Sequence, residues 1–394
     1  MNTKLVIHNA RIITPYIIHN PGWLLCEGGT IRIIDDDHPP PIHLDNAIVI
    51  DAKHRTLLPG FIDLHVHGGM NCEAMDATPE SLHTMARFYA QHGVTAFLAT
   101  TWTDSRERIQ AALENIATCM GSYPDGATLL GAHLEGPYIN DAKGGAQNPE
   151  HIRRAHRDEA KSFLDIDVIR LLALAPEYRE NHWLIEACIQ RGITVSIAHT
   201  AATYEEVRHA VALGATQATH TFNAMSGLHH REPGAVGAVL TNDIIRAEII
   251  ADNVHVHPAV LNLIHRTKRE DGIILVSDAV RCAGMPDGDY PIDDRTISVH
   301  DGIARLPDGT LAGSTLTMDR ALYNFMRATS SGVASVWRTS SLNPARAIGL
   351  HHQKGSIEID KDADLVLVDA DMSVYATIAE GRIIYQREDE HVSH

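Results

Sequence analysis

Between residues 58 and 349, short apolar segments alternate with longer segments whose apolar residues recur every three to four positions. The short segments are apolar at almost every residue, which is typical of parallel strands covered on both faces. The longer segments have one apolar face, which is typical of helices packed on a sheet. The eight predicted strands are Leu57–His67, Val94–Thr101, Thr128–Glu135, Val168–Leu174, Ile193–His199, Thr216–Thr221, Ile245–Ala251 and Gly272–Asp278.

Helix-starting signals stand between several of these strands. The signals are Thr78 with Pro79, Asp104 with Glu107, Thr203 with Glu206, and Pro258. Serine, threonine and aspartate side chains cap helix N-termini, and proline is favoured at the first helical position. Eight strand–helix units predict an α/β fold, a (β/α)8 TIM-like barrel. An open, doubly wound sheet is the alternative, but no Gly-x-Gly-x-x-Gly follows the first strand to support nucleotide binding.

Both ends of the chain contain strand-like segments without helical periodicity. The predicted strands are Leu5–Ile7, Arg11–Ile13, Trp23–Cys26, Ile31–Ile34, Ala47–Ile50, Gly355–Ile359, Ala363–Val368 and Gly381–Tyr385. Neither end is large enough to bury a core alone. We therefore predict a small β-sandwich domain from residues 1–57 plus 350–387, and a barrel domain from residues 58–349.

Composition and charge exclude several classes of protein. The 394 residues are 44% hydrophobic, as in an ordinary folded enzyme. A formal net charge of −17 argues against nucleic acid as a partner, because phosphate-backbone binding requires a basic face. The five cysteines are scattered without C-x-x-C spacing, which predicts reduced thiols rather than disulfides or a thiolate zinc site. The chain has no signal-peptide core and no apolar run of about 20 residues, so we expect a cytoplasmic protein without a membrane partner.

The first predicted barrel strand ends in two histidines one residue apart, His65 and His67. Side chains alternate across a strand, so Asp63, His65 and His67 project to the same side. Neutral imidazole is the commonest metal-ligating side chain. The pair therefore predicts half of a metal site, and two ordinary buried histidines are the alternative.

Further polar residues end other predicted strands. Glu135, His199, His220 and Asp278 close the third, fifth, sixth and eighth strands. In a barrel of this type the carboxyl ends of all strands open on one rim, where the active site lies. Taken singly, His199 has the features of a buried structural histidine and Asp278 those of a helix cap, but their shared rim predicts one site. His133 projects to the same side of its strand as Glu135, and we interpret it as a structural residue.

Nitrogen and oxygen ligands without thiolate suit a hydrolytic divalent ion, namely zinc, iron(II), manganese or cobalt. The predicted ligands are His65, His67, Glu135, His199 and His220. A carboxylate between two pairs of histidines can bridge two ions, lower the pKa of a shared water and polarise a carbonyl. Asp278 is the predicted catalytic acid and base, which takes a proton from the attacking water and passes it to a leaving nitrogen.

Longer motifs extend over nearly the whole chain. They are the segments Pro59–Gly68, His133–Tyr138, Leu174–Glu177, Thr219–Met225, Arg231–Gly234, Ile250–His255, Val276–Ala279 and Leu311–Met318. Together they resemble the N-acetylglucosamine-6-phosphate deacetylase family of the amidohydrolase superfamily. The Leu-Glu-Gly-Pro and Asn-Ala-Met segments with Arg231 are the most specific of these motifs.

The resemblance implies an enzyme that hydrolyses the N-acetyl group of N-acetyl-D-glucosamine 6-phosphate, in amino-sugar catabolism or cell-wall recycling. It implies that Glu135, His199 and His220 hold the metal ion that members of the family keep. Some members have lost the histidine pair of the first strand and use a single ion. This chain has both His65 and His67, so one or two ions are expected.

The resemblance also implies the substrate-binding residues. Asn223, Ala224 and Arg231 match a phosphate-handling loop, and His255 matches a histidine that contacts the sugar and its amide. Guanidinium binds phosphate bidentately, and an arginine is the local cation that so acidic a chain needs. Without the resemblance, Arg231 would be interpreted as a solvated surface residue. Gln147 stands where many members have histidine, and its amide can hydrogen-bond a sugar hydroxyl without charge.

Family members complete the phosphate site across a dimer interface, so a homodimer is implied. Two alternatives stay open. One is the same chemistry on N-acetylgalactosamine 6-phosphate or on another N-acyl amine. The other, from a different class of protein, is a non-catalytic scaffold with the same fold, although such proteins typically lose their metal ligands.

Overall fold

The computed structural model describes residues 4–42 and 44–388. Eight parallel strands follow one another in chain order around a barrel. They are Phe61–Val66, Val94–Thr101, Gly126–Glu135, Ile169–Leu174, Thr194–Ile197, Gln217–Ala218, Arg246–Ile250 and Ile273–Val276, and a short strand, Gly121–Tyr123, pairs with the third. The predicted barrel is thus confirmed, although its fifth and sixth strands are shorter than predicted.

The first and eighth strands meet at their carboxyl ends. The backbone N–H of Asp278 donates to the carbonyl of His65 at 2.9 Å, and that of His67 donates to the carbonyl of Ala279 at 2.8 Å. The buried carboxylate of Asp63 accepts hydrogen bonds from the backbone N–H of His65 and of Ser277, and so joins the two strands. These bonds close the barrel at the end that carries the predicted site.

Helices cover the outside of the barrel. They are Pro79–Gln91, Arg106–Cys119, Arg157–Leu164, Arg179–Gln190, Tyr204–Leu213, Gly234–Thr241, Pro258–Lys268, Met318–Thr329, Val333–Val336 and Leu342–Ala347. The predicted caps at Thr78 and Thr203 are confirmed, since each side chain accepts a backbone N–H three residues on. The helix predicted at Pro258 also starts there.

The predicted cap at Asp104 is wrong. The helix begins one residue later, and Ser105 caps it by accepting the backbone N–H of Arg108. The Asp104 carboxylate instead accepts the N–H of Ser105 at 2.6 Å and pairs with the Arg108 guanidinium at 2.8 Å. Because those partners occupy the carboxylate, the neighbouring hydroxyl takes the cap.

The two ends of the chain form one eight-stranded sheet, which confirms a domain built from both termini. Its strands are Lys4–Ile13, Ile18–Glu27, Thr30–Asp35, Ala47–Asp51, Thr56–Pro59, Leu365–Val368, Val374–Ala379 and Arg382–Gln386. The boundaries between the two domains stay predictions. Thr56–Pro59 pairs with strands from both ends, so the terminal sheet continues to residue 59.

The segment Gly355–Ile359 was expected to be a strand and is not one. Gly355 has φ 87°, in the left-handed region, and the chain turns there rather than running along a neighbour. Ile357 is nevertheless fully buried, so its apolar side chain fills the core without a strand around it. The buried strand Val374–Ala379 was missed because its apolar residues do not alternate.

Two smaller sheets lie beside the barrel. They are Gly68–Gly69 with Cys72–Glu73, and Gly288–Ile292 with Arg295–His300 and Ile303–Arg305. The three-stranded sheet is inserted between the eighth barrel strand and the helix Met318–Thr329, and its last strand carries Arg305 into the lining of the cavity at the carboxyl end of the barrel. This insertion therefore covers part of the predicted site.

All five cysteines are free thiols, as predicted. Burial raises the pKa of Cys26 and of Cys188 to about 12, so both stay protonated near neutral pH. Among the helices of residues 4–42 and 44–388, none has the length and apolar character needed to cross a membrane.

Candidate active site

A cavity of about 390 Å³ opens at the carboxyl ends of the barrel strands. Polar groups from five of the eight predicted strands meet at its floor. They are His65, His67, Glu135, His199, His220 and Asp278, each between 0% and 7% exposed. The structure thus brings together all six residues predicted for metal binding and catalysis, while their roles stay predictions.

The first cluster consists of Glu135, His199 and His220. One carboxylate oxygen, Glu135 Oε1, lies 3.2 Å from His199 Nε2 and 3.1 Å from His220 Nε2. The two ring nitrogens are 3.1 Å apart. Three potential ligand atoms therefore point at one common position.

The second cluster consists of His65, His67 and Asp278. The two Nε2 atoms are 3.3 Å apart, and Asp278 Oδ1 lies 3.4 Å from each of them. The other carboxylate oxygen of Glu135, Oε2, lies 3.1 Å from His67 Nε2 and 3.4 Å from His65 Nε2. Glu135 therefore faces both clusters, with one oxygen toward each.

These distances fit a metal centre. Two ligands bound at about 2.0 Å to one tetrahedral ion are about 3.3 Å apart, which is the spacing found within both clusters. Two imidazole nitrogens at that distance can share only one proton, so hydrogen bonding alone does not explain both rings pointing inward. The residues present consequently fit one or two divalent ions.

Electrostatics keep the carboxylates of the site ionised. Burial opposes ionisation of Glu135, but the facing imidazoles, above all His65, hold its pKa well below the usual range. Burial likewise opposes ionisation of Asp278, and His65 with His67 outweighs it and lowers the pKa. Both groups are therefore anionic ligands or bases at neutral pH.

The backbone turns sharply where three of the six residues are placed. His199, His220 and Asp278 have φ of 43°, 30° and 49°. Each lies two residues past the end of its strand, and the left-handed conformation directs the chain away from the barrel. Such positions cost about 1 to 3 kcal/mol for residues other than glycine and occur mainly at functional sites.

His133 lies behind the second cluster. Its ring packs edge-on against His65 with centroids 4.6 Å apart, and neither ring nitrogen has a hydrogen-bond partner among the described residues. Burial holds its pKa well below the usual value, so the ring is neutral. This environment supports the structural interpretation of His133.

Four of the five predicted substrate-binding residues line the cavity, namely Gln147, Asn223, Ala224 and His255. Burial opposes protonation of His255, but Asp252, at 2.7 Å from its Nδ1, outweighs burial and raises the pKa. Asn223 and Ala224, which are predicted to handle the phosphate, come shortly after the strained turn at His220.

Gln147 lines the cavity, but its amide is already engaged. Its Nε2 donates to Glu135 Oε2 at 2.8 Å, and its Oε1 accepts the backbone N–H of Thr103 at 2.7 Å. The side chain is 2% exposed. Gln147 therefore supports the carboxylate that both clusters share, a contact that its sequence position did not indicate.

Arg231 is the one predicted substrate residue outside the lining of this cavity. It is exposed and lies beside a separate surface cavity of about 570 Å³, formed mainly by residues 201–205 and 226–234. Its Nη1 is 2.8 Å from His230 Nε2. Within one chain, the predicted phosphate-binding arginine does not reach the floor of the site.

Sequence reasoning missed several residues of the site. Trp102 stacks on His67, with ring centroids 3.9 Å apart and planes 16° from parallel. Arg305 and Lys143 bring positive charge to the cavity lining. Glu248 lies fully buried behind His65, and its carboxylate within the otherwise apolar stretch Ala247–Ala251 was the one available signal. The others lie on loops or on the inserted sheet, where periodicity carries no information.

A parallel barrel with buried nitrogen and oxygen ligands at its carboxyl rim defines a metal-dependent hydrolase of the barrel class. The family model described as "Amidohydrolase family" matches residues 56–384. The chain belongs to the amidohydrolase family.

Similar proteins cover almost the full chain. N-acetylglucosamine-6-phosphate deacetylase of Vibrio furnissii is 38% identical over 377 residues, which are 94% of this chain and 93% of that protein. N-acetylgalactosamine-6-phosphate deacetylase of Escherichia coli O157:H7 is 37% identical over 385 residues, 96% of this chain and 98% of that protein.

A solved structure is also similar. It is a mutant of N-acetyl-D-glucosamine-6-phosphate deacetylase from Mycobacterium smegmatis in complex with N-acetyl-D-glucosamine-6-phosphate. It is 29% identical with a TM-score of 0.89, and covers 97% of this chain and 99% of that one.

Proposed function

We propose that this protein hydrolyses the N-acetyl group of N-acetyl-D-glucosamine 6-phosphate, giving acetate and glucosamine 6-phosphate. The observation that carries the proposal is the convergence of four histidines, Glu135 and Asp278 on one cavity, in a chain similar over its length to deacetylases. The complex of the Mycobacterium smegmatis protein with the same sugar phosphate supports the substrate class.

The site is proposed to use one or two divalent ions, with zinc, iron(II), manganese and cobalt as candidates. Glu135, His199 and His220 would hold one ion, and His65 and His67 with Asp278 would hold a second. When bound, a divalent ion supplies Lewis-acid polarisation of the amide carbonyl and lowers the pKa of water.

Asp278 is proposed to move the proton. Its ionised carboxylate accepts a proton from the water that attacks the acetyl carbon, and it returns that proton to the amide nitrogen as the carbon–nitrogen bond breaks. Hydrogen bonds fix its backbone on both sides, from its N–H to the His65 carbonyl at 2.9 Å and from the Ser314 N–H to its own carbonyl at 2.8 Å. The carboxylate that carries the proton from the water to the leaving nitrogen therefore sits on a fixed stretch of backbone.

The sugar is proposed to lie against Asn223, Ala224 and His255, which line the cavity. We infer that Arg231 binds the 6-phosphate from the second subunit of a homodimer. Its exposure and its place in the lining of a separate surface cavity, rather than that of the site, support this arrangement. Gln147 was predicted to bind the sugar, and its engaged amide favours a supporting contact to Glu135 instead.

Acetate release from three sugars tests the substrate. Acetate release is measured with the 6-phosphates of N-acetylglucosamine and N-acetylgalactosamine and with unphosphorylated N-acetylglucosamine. We expect the glucosamine phosphate to give the highest kcat/KM. Preference for the galactosamine epimer would replace the proposed substrate, an outcome that the similarity to the Escherichia coli protein makes worth testing. No turnover of any of them would remove the proposed substrate and leave hydrolysis of another N-acyl amine standing.

Arg231→Ala tests the phosphate contact, with Arg231→Lys as the matched control. A charge-assisted contact contributes about 1.5 to 3 kcal/mol, so KM for the phosphorylated sugar should rise about 10- to 100-fold in the alanine variant. An unchanged KM would remove Arg231 from the phosphate site.

We also propose that the protein is cytoplasmic and acts in amino-sugar metabolism. The five free thiols support the cytoplasmic location.

A further inference from the structure

Glu248 is a buried carboxylate that has no role in the deacetylation proposed above. It lies on the seventh barrel strand, Arg246–Ile250, and is 0% exposed. An ionised carboxylate in such a place is strongly unfavourable unless hydrogen bonds or an opposite charge compensate it. Its partners therefore indicate why it is there.

Two side chains contact this carboxylate. Glu248 Oε1 accepts a hydrogen bond from the Nε2 group of Gln217 on the neighbouring sixth strand. Glu248 Oε2 lies 3.4 Å from Nδ1 of His65 on the first strand. Within residues 4–42 and 44–388, His65 is the only basic side chain within 4.0 Å of it. Glu248 thus reaches from the seventh strand to a proposed metal ligand on the first strand, two positions further around the barrel.

The four histidine rings of the site differ in the group that contacts their Nδ1 atom. His199 Nδ1 is 2.8 Å from the backbone carbonyl of Lys143. The Nδ1 atoms of His67 and His220 have no hydrogen-bond partner in the described part of the chain. His65 alone among the four has a carboxylate behind its ring. The second cluster therefore has a histidine ring supported by a carboxylate, whereas the supported ring of the first cluster contacts a backbone carbonyl.

This contact determines which ring nitrogen of His65 is available. With the proton on Nδ1, the ring donates to Glu248, and the lone pair of Nε2 points at Glu135, His67 and Asp278. Metal-binding histidines commonly donate their second N–H to a carboxylate, and loss of that partner typically weakens metal binding or activity by about 10- to 100-fold.

We propose that Glu248 is a positioning residue that fixes the tautomer and orientation of His65 and thereby sets the affinity of the second cluster for its ion. The inference rests on the proposed metal-dependent function. It implies that the number of ions per chain depends on a side chain that touches neither ion nor substrate.

The experiment counts bound ions in Glu248→Gln and in the wild-type holoenzyme. Each is equilibrated with zinc at a series of buffered free concentrations, and the bound metal is measured by mass spectrometry. The second ion should need about 10- to 100-fold more free zinc in the variant. The first should bind within about threefold of wild type, because no ligand of the first cluster contacts Glu248.

Glu248→Asp is the matched variant, since it keeps the charge on a shorter side chain. We expect it to recover part of the lost affinity, which a purely steric role for the glutamate would not produce. Thermal unfolding of both variants checks that the barrel is intact. If Glu248→Gln fails to fold, Glu248→Asp and its lower second-ion affinity carry the test.

Three results would overturn the proposal: equal weakening of both ions, unchanged binding of both, or a wild-type chain that never takes up a second ion. Metal counting needs no substrate. A protein that binds two ions in the expected order but releases no acetate would therefore contradict the proposed function and leave the role of Glu248 standing.

Discussion

The two clusters of the site share Glu135 but are held in different ways. In the second cluster, His65 lies on a regular barrel strand and His67 follows directly after its end. In the first cluster, His199 and His220 lie two residues past the ends of short strands, at φ of 43° and 30°. The two histidines of the second cluster are thus aligned by strand geometry, and the two histidines of the first by strained turns.

The groups that contact the histidine rings also differ between the two clusters. Side chains support the second cluster, with Glu248 behind one ring and Trp102 stacked on the other. For the histidine rings of the first cluster, the described support is a backbone carbonyl, that of Lys143. A ring supported by a backbone group depends on the whole fold, whereas a ring supported by side chains can be affected by a single substitution. We therefore expect second-cluster affinity to be the more easily altered.

Glu135→Gln should produce the largest effect, because it removes the charge that both clusters share. Several kcal/mol of charge stabilisation are lost, so activity should fall by about 10⁴-fold and both ions should bind more weakly. Acetate release and metal content measure this outcome. Glu159→Gln, which changes a carboxylate paired with Arg153 away from the cavity, is the control and should keep both. Retention of two ions in Glu135→Gln would show that the clusters are independent.

Asp278→Asn separates catalysis from the first cluster. Loss of the acid and base should lower kcat by about 10³-fold, within the range typical for such groups. The ion of the first cluster should remain, because the histidines that Asp278 pairs with are His65 and His67 of the second cluster. Metal content near one ion per chain, with kcat reduced, is the expected result. A metal-free variant would mean that Asp278 is needed for the first ion too.

A matched pair of substitutions compares the clusters directly. His220→Asn should cost about 10²-fold in activity and His67→Asn about 10-fold, since we propose that the first ion is the essential one. Ion counts should fall in both variants, with only His67→Asn retaining one tightly bound ion. Equal losses of activity would abolish the distinction drawn between the clusters.

The smallest effect is expected at Trp102. Aromatic stacking contributes about 0.5 to 1.5 kcal/mol, so Trp102→Leu should weaken the second ion by about fivefold. Trp102→Phe keeps a stacked ring and should remain near wild type. Titration with buffered zinc measures both. If the substitution weakened the first ion more than the second, the claim that Trp102 supports the second cluster would be wrong.

The barrel was predictable because buried parallel strands are apolar at nearly every residue and their helices are amphipathic. The convergence of His65 and His67 followed from the two-residue repeat of a strand. The cap at Asp104 could not be read correctly, because the Arg108 guanidinium competes for the carboxylate that was assigned to the helix. The inserted sheet around Arg305 was missed because its short strands carry no periodic signal.

The amino-acid sequence by itself determined the repeated strand–helix units, the sheet built from both termini, and the residue types that stand at one rim. Only the tertiary structure decided what each side chain contacts. Positive φ directs His199, His220 and Asp278 into the cavity. The amide of Gln147 is engaged with Glu135. Arg231 lies outside the cavity lining, and Glu248 contacts His65. The physical reason is that periodicity reports the face on which a side chain lies, whereas its partners come from strands and loops far away in the chain.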